Sequence, residues 1–249
     1  MMTDEELLRY SRQILLPQLD VEGQEKLRAA TALVVGLGGL GSPVTLYLAA
    51  AGVGRLILVD HDNVDLSNLQ RQIAHQTDSI GQPKVESAAD RARRLNPHCD
   101  IVTVAKKLDD SNAQKWVAQS DVILDCSDNF AVRFLLNRIS VQLKVPLVSG
   151  AAIRMDGQLS VYDPRLESSP CYRCLYDETG DEDLRCVSNG VLAPIVGIVG
   201  SIQATEALKV LAGFGTPLVG RLLLLDGLRM QFREIKLNKN RNCPVCGAA

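Results

Sequence analysis

Neither charge sign dominates this chain. Lys+Arg number 27 against Asp+Glu 29, a formal net charge of -2, which excludes a general affinity for nucleic acid or an anionic membrane. No signal peptide is expected, because the start, MMTDEELLRYSRQ, is acidic, then basic, and has no apolar core. No apolar run is expected to reach the ~20 residues of a membrane span, and no repeat or low-complexity tract is visible. His61 and His75 stand beside no candidate nucleophile or metal ligand and read as surface or structural residues. The 7 cysteines are an odd count for a secreted disulfide framework. Four of them form two C-x-x-C pairs, which in the cytosol points to metal. A soluble, cytoplasmic protein is expected. Its 249 residues, 46% hydrophobic, suffice for one large α/β domain, with or without an appended subdomain.

What is present is organised around residues 31–60, TALVVGLGGLGSPVTLYLAAAGVGRLILVD. TALVV is rich in β-branched residues and PVTLYLAAAGV is small and apolar all round, so the pattern predicts strand, glycine turn, helix, strand. Gly36, Gly38 and Gly41 form G-x-G-x-x-G directly after the strand. In that motif the first glycine permits the turn, the second lets a phosphate approach the backbone, and the third allows close helix–strand packing. The free N–H groups that open the helix attract an anion. Asp60 closes the second strand about 20 residues further on, where a carboxylate accepts hydrogen bonds from ribose hydroxyls. A nucleotide site follows, and this stretch alone leaves NAD and ATP both open.

Residues 3–16 and 22–30 read as two amphipathic helices broken at Pro17. Within the first, Arg9-Tyr10-Ser11-Arg12-Gln13 is either a solvated face with one buried tyrosine or a source of a phosphate-reaching arginine. After Asp60, the residues Asn68, Arg71 and Lys84 can all face the glycine turn. The planar fork of Arg and the point charge of Lys suit a polyphosphate, against the plainer role of surface charge. Together with Asp60 they favour a triphosphate. KVESAADRARRL makes a helix stopped at Asn96-Pro97, DIVTVAKKL a strand and SNAQKWVAQS a helix. The next strand, DVILD, runs into Cys126, Ser127, Asp128 and Asn129. Ligands of open α/β sheets bind beyond the carboxyl ends of strands, so Asp128 is placed to hold Mg2+. The competing role for Asp128 is N-cap of the helix NFAVRFLLNRIS. Cys126 reads as buried filler.

KVPLVSGAAIRMDGQLSVYDP predicts another core strand and an antiparallel continuation, turning at Asp156-Gly157. Cys171-x-x-Cys174 and Cys243-x-x-Cys246 then offer four thiolates, enough for a closed, tetrahedral, structural Zn2+ site. Their separation is too long for a local zinc ribbon, so the ion would be a long-range clip. Two separate redox pairs are the alternative, and they want a thioredoxin-like setting that is not visible. Cys186 ends the acidic segment LYDETGDEDLRC beside Arg185, and is either a nucleophile or inert. Residues 190–212 predict a long apolar helix ended by Gly213, after which RLLLLDG and RMQFREIKL pair as strands.

GLGGLG, the Asp60 strand end, SNLQRQ, GQPKVES, DCSDN, SGAAIRMDGQ and the paired CxxC motifs together resemble the HesA/MoeB/ThiF family, the bacterial activating enzymes of ubiquitin-like sulfur carriers. The resemblance covers nearly the whole chain. SGAAIRMDGQ leans towards the MoeB-type members of the molybdopterin branch, and GSPVTLYLA towards the ThiF-type members of the thiamine branch. It implies a Rossmann-like, doubly wound, mostly parallel sheet with N-terminal helices, an antiparallel C-terminal continuation and a four-cysteine zinc clip. The whole of 1–249 would be one ubiquitin-activating-enzyme-like adenylation domain, with a helical segment (1–30), a nucleotide-binding half (31–153) and a carrier-binding, zinc-clipped half (154–249).

Site roles follow from the same resemblance. Gly36, Gly38, Gly39, Gly41 and Asp60 would bind ATP, with Ser67, Asn68, Leu69, Gln70 and Arg71 beside its phosphates. Lys84 and Arg71 would neutralise phosphate charge, and Asp128, next to Asn129, would position Mg2+. Arg12 would reach the site from the partner subunit of a homodimer. Cys171, Cys174, Cys243 and Cys246 match the zinc ligands, and Cys186 matches the loop cysteine that bonds to the carrier's sulfur in ThiF-type enzymes. The implied activity is adenylation of a carrier's C-terminal Gly-Gly carboxylate by Mg·ATP, preparing thiocarboxylate formation in molybdenum cofactor biosynthesis. The thiamine-pathway carrier is the alternative substrate, an NAD-dependent oxidoreductase a more distant reading, and a zinc-clipped binding scaffold a third. The length leaves no space for a C-terminal rhodanese domain, so a separate sulfur donor is expected.

Overall fold

The apolar strand segments fold into a single eight-stranded sheet in this computed structural model, which describes residues 2–177 and 190–247. The strands are β1 (Thr31–Val35), β2 (Arg55–Val59), β3 (Asp100–Val104), β4 (Val122–Asp125), β5 (Leu147–Ile153), β6 (Asp156–Tyr162), β7 (Arg221–Asp226) and β8 (Gln231–Lys236). Their order is β3-β2-β1-β4-β5-β6-β7-β8. Neighbours from β3 to β5 run parallel, and those from β5 to β8 run antiparallel. Both faces are covered. Ala32 and Val34 of β1 join Leu56, Leu58 and Leu124 in one core, while Leu33 and Val35 join Ile57, Val59 and Ile123 in the other. Two-sided burial is why these strands read as unbroken apolar runs. Each fully buried leucine contributes about 1.5–3 kcal/mol.

Among the described residues eight helices accompany the sheet: α1 (Asp4–Arg9), α2 (Ser11–Ile14), α3 (Asp20–Ala29), α4 (Gly41–Ala50), α5 (Lys84–Leu95), α6 (Ala113–Val117), α7 (Phe130–Leu143) and α8 (Ala193–Ala212). Residues of α3, α4, α5 and α8 fill the first core, and residues of α6 and α7 the second. The helix expected over 3–16 is interrupted at Tyr10, which is buried and accepts a hydrogen bond from Asn96 Nδ2 at 2.8 Å. The hairpin turn expected at Asp156-Gly157 lies earlier. Both residues are in β6, and Arg154, at φ 55, takes the left-handed position. Contrary to the expectation that no run reaches membrane length, α8 is long and apolar enough to span one. Half of that window is buried, against α4, β5 and β6. A Cβ on Gly200 would lie 2.6 Å from the Leu40 carbonyl oxygen, so α8 and α4 meet at backbone distance.

Candidate nucleotide site and zinc centre

Strand order reverses between β1 and β4, which opens a crevice beyond their carboxyl ends. The glycine turn occupies it. Gly36 has φ +87, and a Cβ there would stand 2.8 Å from the Cys126 carbonyl oxygen, so the turn and the end of β4 are packed backbone to backbone. A Cβ on Gly41 would be 1.9 Å from Gly36 O, which ties α4 to the turn. Gly38 differs. Its nearest neighbour would be Gln72 Nε2 at an ordinary 3.5 Å, so protein packing does not require glycine there. The N–H groups of Gly38 and Gly39 donate to no acceptor among the described residues. These are the features of an anion cradle.

Asp60 both braces the turn and faces the crevice. Its Oδ2 accepts the Leu37 N–H at 2.7 Å and its Oδ1 the Asp62 N–H at 2.8 Å. Each carboxylate oxygen keeps a lone pair for a hydroxyl. His75 is structural, as expected. Its ring is buried, with Nε2 3.0 Å from Leu37 O and Nδ1 3.0 Å from Ser87 Oγ, and that burial pushes its pKa below 6.5. Lys84 opens α5 with its ammonium buried, 2.8 Å from Asp62 Oδ2. Burial alone would raise the Asp62 pKa, but the Lys84 hydrogen bond and charge hold it below the usual carboxylate value. One carboxylate satisfies only one of three ammonium donors, which leaves Lys84 with capacity for a further anion.

The 67–71 segment is more locally engaged than its expected role implies. Ser67 donates through Oγ at 2.5 Å and N–H at 2.8 Å to Asp65, and Asn68 Oδ1 accepts the Asp65 N–H at 3.4 Å. Both side chains hold a single turn together. Leu69 is half-buried, Gln70 exposed, and half-buried Arg71 donates to Ser67 O at 3.2 Å. The buried neighbour Gln72 brings its amide to Gly38 and leaves Oε1 without a partner among the described residues. Sequence reading missed Gln72 and Asp62, and its available signal was that both sit inside polar segments already assigned to the site.

At the end of β4, Asn129 rather than Asp128 caps α7, accepting the Val132 N–H at 3.1 Å. Asp128 is exposed beside the turn, and its carboxylate makes no hydrogen bond among the described residues. A hard oxygen donor so placed fits Mg2+. Cys126 is buried filler as expected, 3.7 Å from Gln203 Oε1, with its thiol pKa raised by burial. Arg12 is not brought to its own glycine turn. It is exposed and lines a concavity of about 440 Å³ with Tyr47, Ala51, Ser201, Thr205 and Leu208. That puts it at the end of α4 opposite Gly41, a helix about 15 Å long at 1.5 Å per residue. Cys186 lies outside the described residues.

The four remaining site cysteines converge. Their Sγ atoms all lie within 4.8 Å of one another, with Cys171–Cys243 at 3.6 Å and Cys174–Cys246 at 3.4 Å. Tetrahedral zinc with bonds of about 2.3 Å spaces its sulfurs about 3.8 Å apart, so the cluster fits. Asn137 Nδ2 donates to Cys171 Sγ at 3.6 Å and the Asn240 N–H to Cys174 Sγ at 3.5 Å. Burial alone would raise the Cys243 pKa, yet backbone N–H groups of Cys246 and Val245 and the neighbouring thiols lower it to about 7.

The model of the ThiF family matches residues 10–245. The chain belongs to the ThiF family. This ThiF-family chain is 52% identical over 246 residues to the molybdopterin-synthase adenylyltransferase of Escherichia coli (strain K12), covering 99% of itself and 98% of that relative. It is 44% identical over 248 residues to the sulfur carrier protein ThiS adenylyltransferase of the same strain, covering 100% of itself and 98% of the relative. The crystal structure of E. coli MccB with succinimide superposes with a TM-score of 0.86 at 23% identity, covering 99% of this chain and 75% of that one, which speaks for the fold.

Proposed function

We propose that this ThiF-family protein is an adenylyltransferase that activates the C-terminal Gly-Gly carboxylate of a ubiquitin-like sulfur carrier with ATP, in the molybdopterin branch. What carries this reading is one crevice that joins an anion-accepting glycine turn to Lys84 and Asp128, in a chain 52% identical over 99% of its length to a molybdopterin-synthase adenylyltransferase. The thiamine-pathway carrier is the second reading, supported by 44% identity to a ThiS adenylyltransferase.

In this reaction a carrier carboxylate oxygen attacks the α-phosphorus, the bond to the bridging oxygen breaks, and pyrophosphate leaves. The product is an acyl-adenylate, whose AMP is a far better leaving group than hydroxide. No protein nucleophile takes part. Gly36 and Gly41 shape the turn, the amides of Gly38 and Gly39 meet phosphate oxygens, and Asp60 orients the ribose. Lys84 and Arg71 oppose the charge that develops on the leaving pyrophosphate, so catalysis rests on alignment and electrostatics. Ser67, Asn68, Leu69 and Gln70 form the wall that carries Arg71. Asp128, flanked by Asn129, would hold Mg2+, which neutralises phosphate charge when bound.

Cys171, Cys174, Cys243 and Cys246 would hold a structural Zn2+, with no open position for catalysis. A homodimer would let Arg12 act on the neighbouring subunit's phosphates, a role its position at the far end of α4 leaves free. A separate protein would supply the sulfur as a persulfide that displaces AMP from the adenylate; the Cys186 thiolate would then attack the sulfur on the acyl group and expel the donor's thiolate, bonding Cys186 to the carrier's sulfur with no external oxidant. We place the reaction in the cytoplasm, where reducing conditions keep the cysteines available as thiolates.

The test is ATP–pyrophosphate exchange by purified protein supplied with either the molybdopterin or the thiamine carrier. Exchange with the molybdopterin carrier alone is expected. Exchange with the thiamine carrier alone transfers the protein to the other branch. Silence with both, together with saturable NAD binding and no ATP binding, overturns the reading in favour of an oxidoreductase.

A further inference from the structure

Arg133 carries a charge that α7 does not need for packing. Phe134, Leu135 and Leu136 beside it are core residues, yet Arg133 is itself buried, at a cost that only a specific arrangement offsets. Its Nη2 donates to Ser127 O at 2.6 Å and to Gly150 O at 3.2 Å. Its Nε, 3.9 Å from Asp125 Oδ2, has no hydrogen-bond partner among the described residues. Asp125 is fully buried, and its Oδ1 accepts the Ser127 N–H at 3.1 Å and the Ser127 Oγ at 2.6 Å, while Oδ2 accepts Ser149 Oγ at 2.8 Å. Ser127 is thus gripped on both sides. Asp125 holds its N–H and hydroxyl, and Arg133 holds its carbonyl.

That carbonyl belongs to the peptide plane joining Ser127 to Asp128, so holding it fixes the Asp128 N and Cα, the base from which that side chain leaves the backbone. We propose that Arg133 is a positioning residue that aims the Asp128 carboxylate into the crevice, acting through the Ser127–Asp128 peptide. The inference rests on the adenylation reading only in taking Asp128 as the holder of Mg2+. Lysine cannot replace this grip. One ammonium on a flexible stem cannot at once lie beside Asp125, as Nε does, and meet both carbonyls, as Nη2 does.

The experiment compares wild type with Arg133→Lys and Arg133→Met. Amide hydrogen exchange across residues 122–132 is read without nucleotide, alongside zinc content and the Mg2+ dependence of pyrophosphate exchange. Arg133→Lys is expected to keep its zinc and fold, to exchange faster at Ser127 and Asp128, and to need about 10- to 100-fold more Mg2+ for half-maximal rate. Arg133→Met strands Asp125 without its cation and is expected to show the same loop effect more strongly. If the methionine variant fails to fold, the lysine variant still decides the matter. Wild-type loop exchange and an unchanged Mg2+ requirement in Arg133→Lys overturn the proposal, even if its maximal rate has fallen. Should wild type give no pyrophosphate exchange with any carrier, the functional reading fails, while the loop measurement still tests Arg133.

Discussion

Replacing Gly38 by alanine should separate ligand approach from protein packing. A Cβ at Gly38 meets nothing closer than Gln72 Nε2 at 3.5 Å, and its backbone is not left-handed. The substitution should therefore leave stability unchanged or raise it by up to about 1 kcal/mol through a less flexible unfolded chain. The same substitution at Gly36 has an opposite forecast. There φ is +87 and the new carbon stands 2.8 Å from a carbonyl oxygen. The left-handed conformation costs about 1–2 kcal/mol, and the crowding about 1–3 more. At about 2–4 °C per kcal/mol for a domain of this size, Gly36→Ala should melt several degrees lower, and Gly38→Ala should not. Nucleotide binding should show the other pattern for Gly38. Its methyl group would occupy the space through which a phosphate reaches the N–H groups, and each charge-assisted hydrogen bond lost is worth about 1.5–3 kcal/mol. The KM for ATP in pyrophosphate exchange should rise about ten- to a hundredfold, with the thermal midpoint held. A Gly38→Ala protein with wild-type melting and wild-type ATP affinity would refute the placement of phosphate at this turn.

Asp128→Ala should abolish pyrophosphate exchange with zinc content intact, as metal analysis of the purified variant can check; retained exchange would assign Mg2+ to another residue. Cys243→Ser should lose stoichiometric zinc and several kcal/mol of stability, because metal binding and closure of the chain ends are coupled. An unchanged denaturation midpoint would show that the clip carries no folding energy. His75 is buried neutral, and its folded pKa lies below the unfolded value of 6.5. The unfolded chain therefore takes up the proton first, so the His75 contribution is complete above pH 6.5 and is lost as pH falls below it. Urea midpoints measured between pH 7 and 5 should drop less steeply in His75→Gln than in wild type, and parallel slopes would count against this assignment.

The parallel half was legible because its signals are local. Strands buried on both faces read as apolar runs, and Gly36, Gly38 and Gly41 mark a turn whose geometry admits few alternatives. The C-x-x-C pairs were equally clear, since their alternative, two redox pairs, wants a thioredoxin-like setting, and the four sulfurs lie within 4.8 Å of one another. What escaped depends on contacts between distant segments. The break at Tyr10 comes from Asn96, far along the chain, and nothing near position 10 announces it. The hairpin turn was misassigned because Asp156-Gly157 has turn chemistry, while Arg154 adopts the left-handed conformation under the constraint of β5 pairing with β6. Likewise, the apolar composition of α8 shows its burial, but only its packing on α4 shows that the core, rather than a bilayer, provides it.

Strand β8 forms one edge of the sheet, with all of its residues exposed, among them Phe232 and Ile235. The segment that follows returns to place Cys243 and Cys246 against Cys171 and Cys174. An edge strand carrying aromatic and β-branched side chains is a template for aggregation when its anchorage loosens. Zinc supply would then govern solubility more directly than turnover. In a metal-starved cell the expected lesion is a sticky chain that joins its own kind, and inclusion bodies would appear before any shortage of catalytic power.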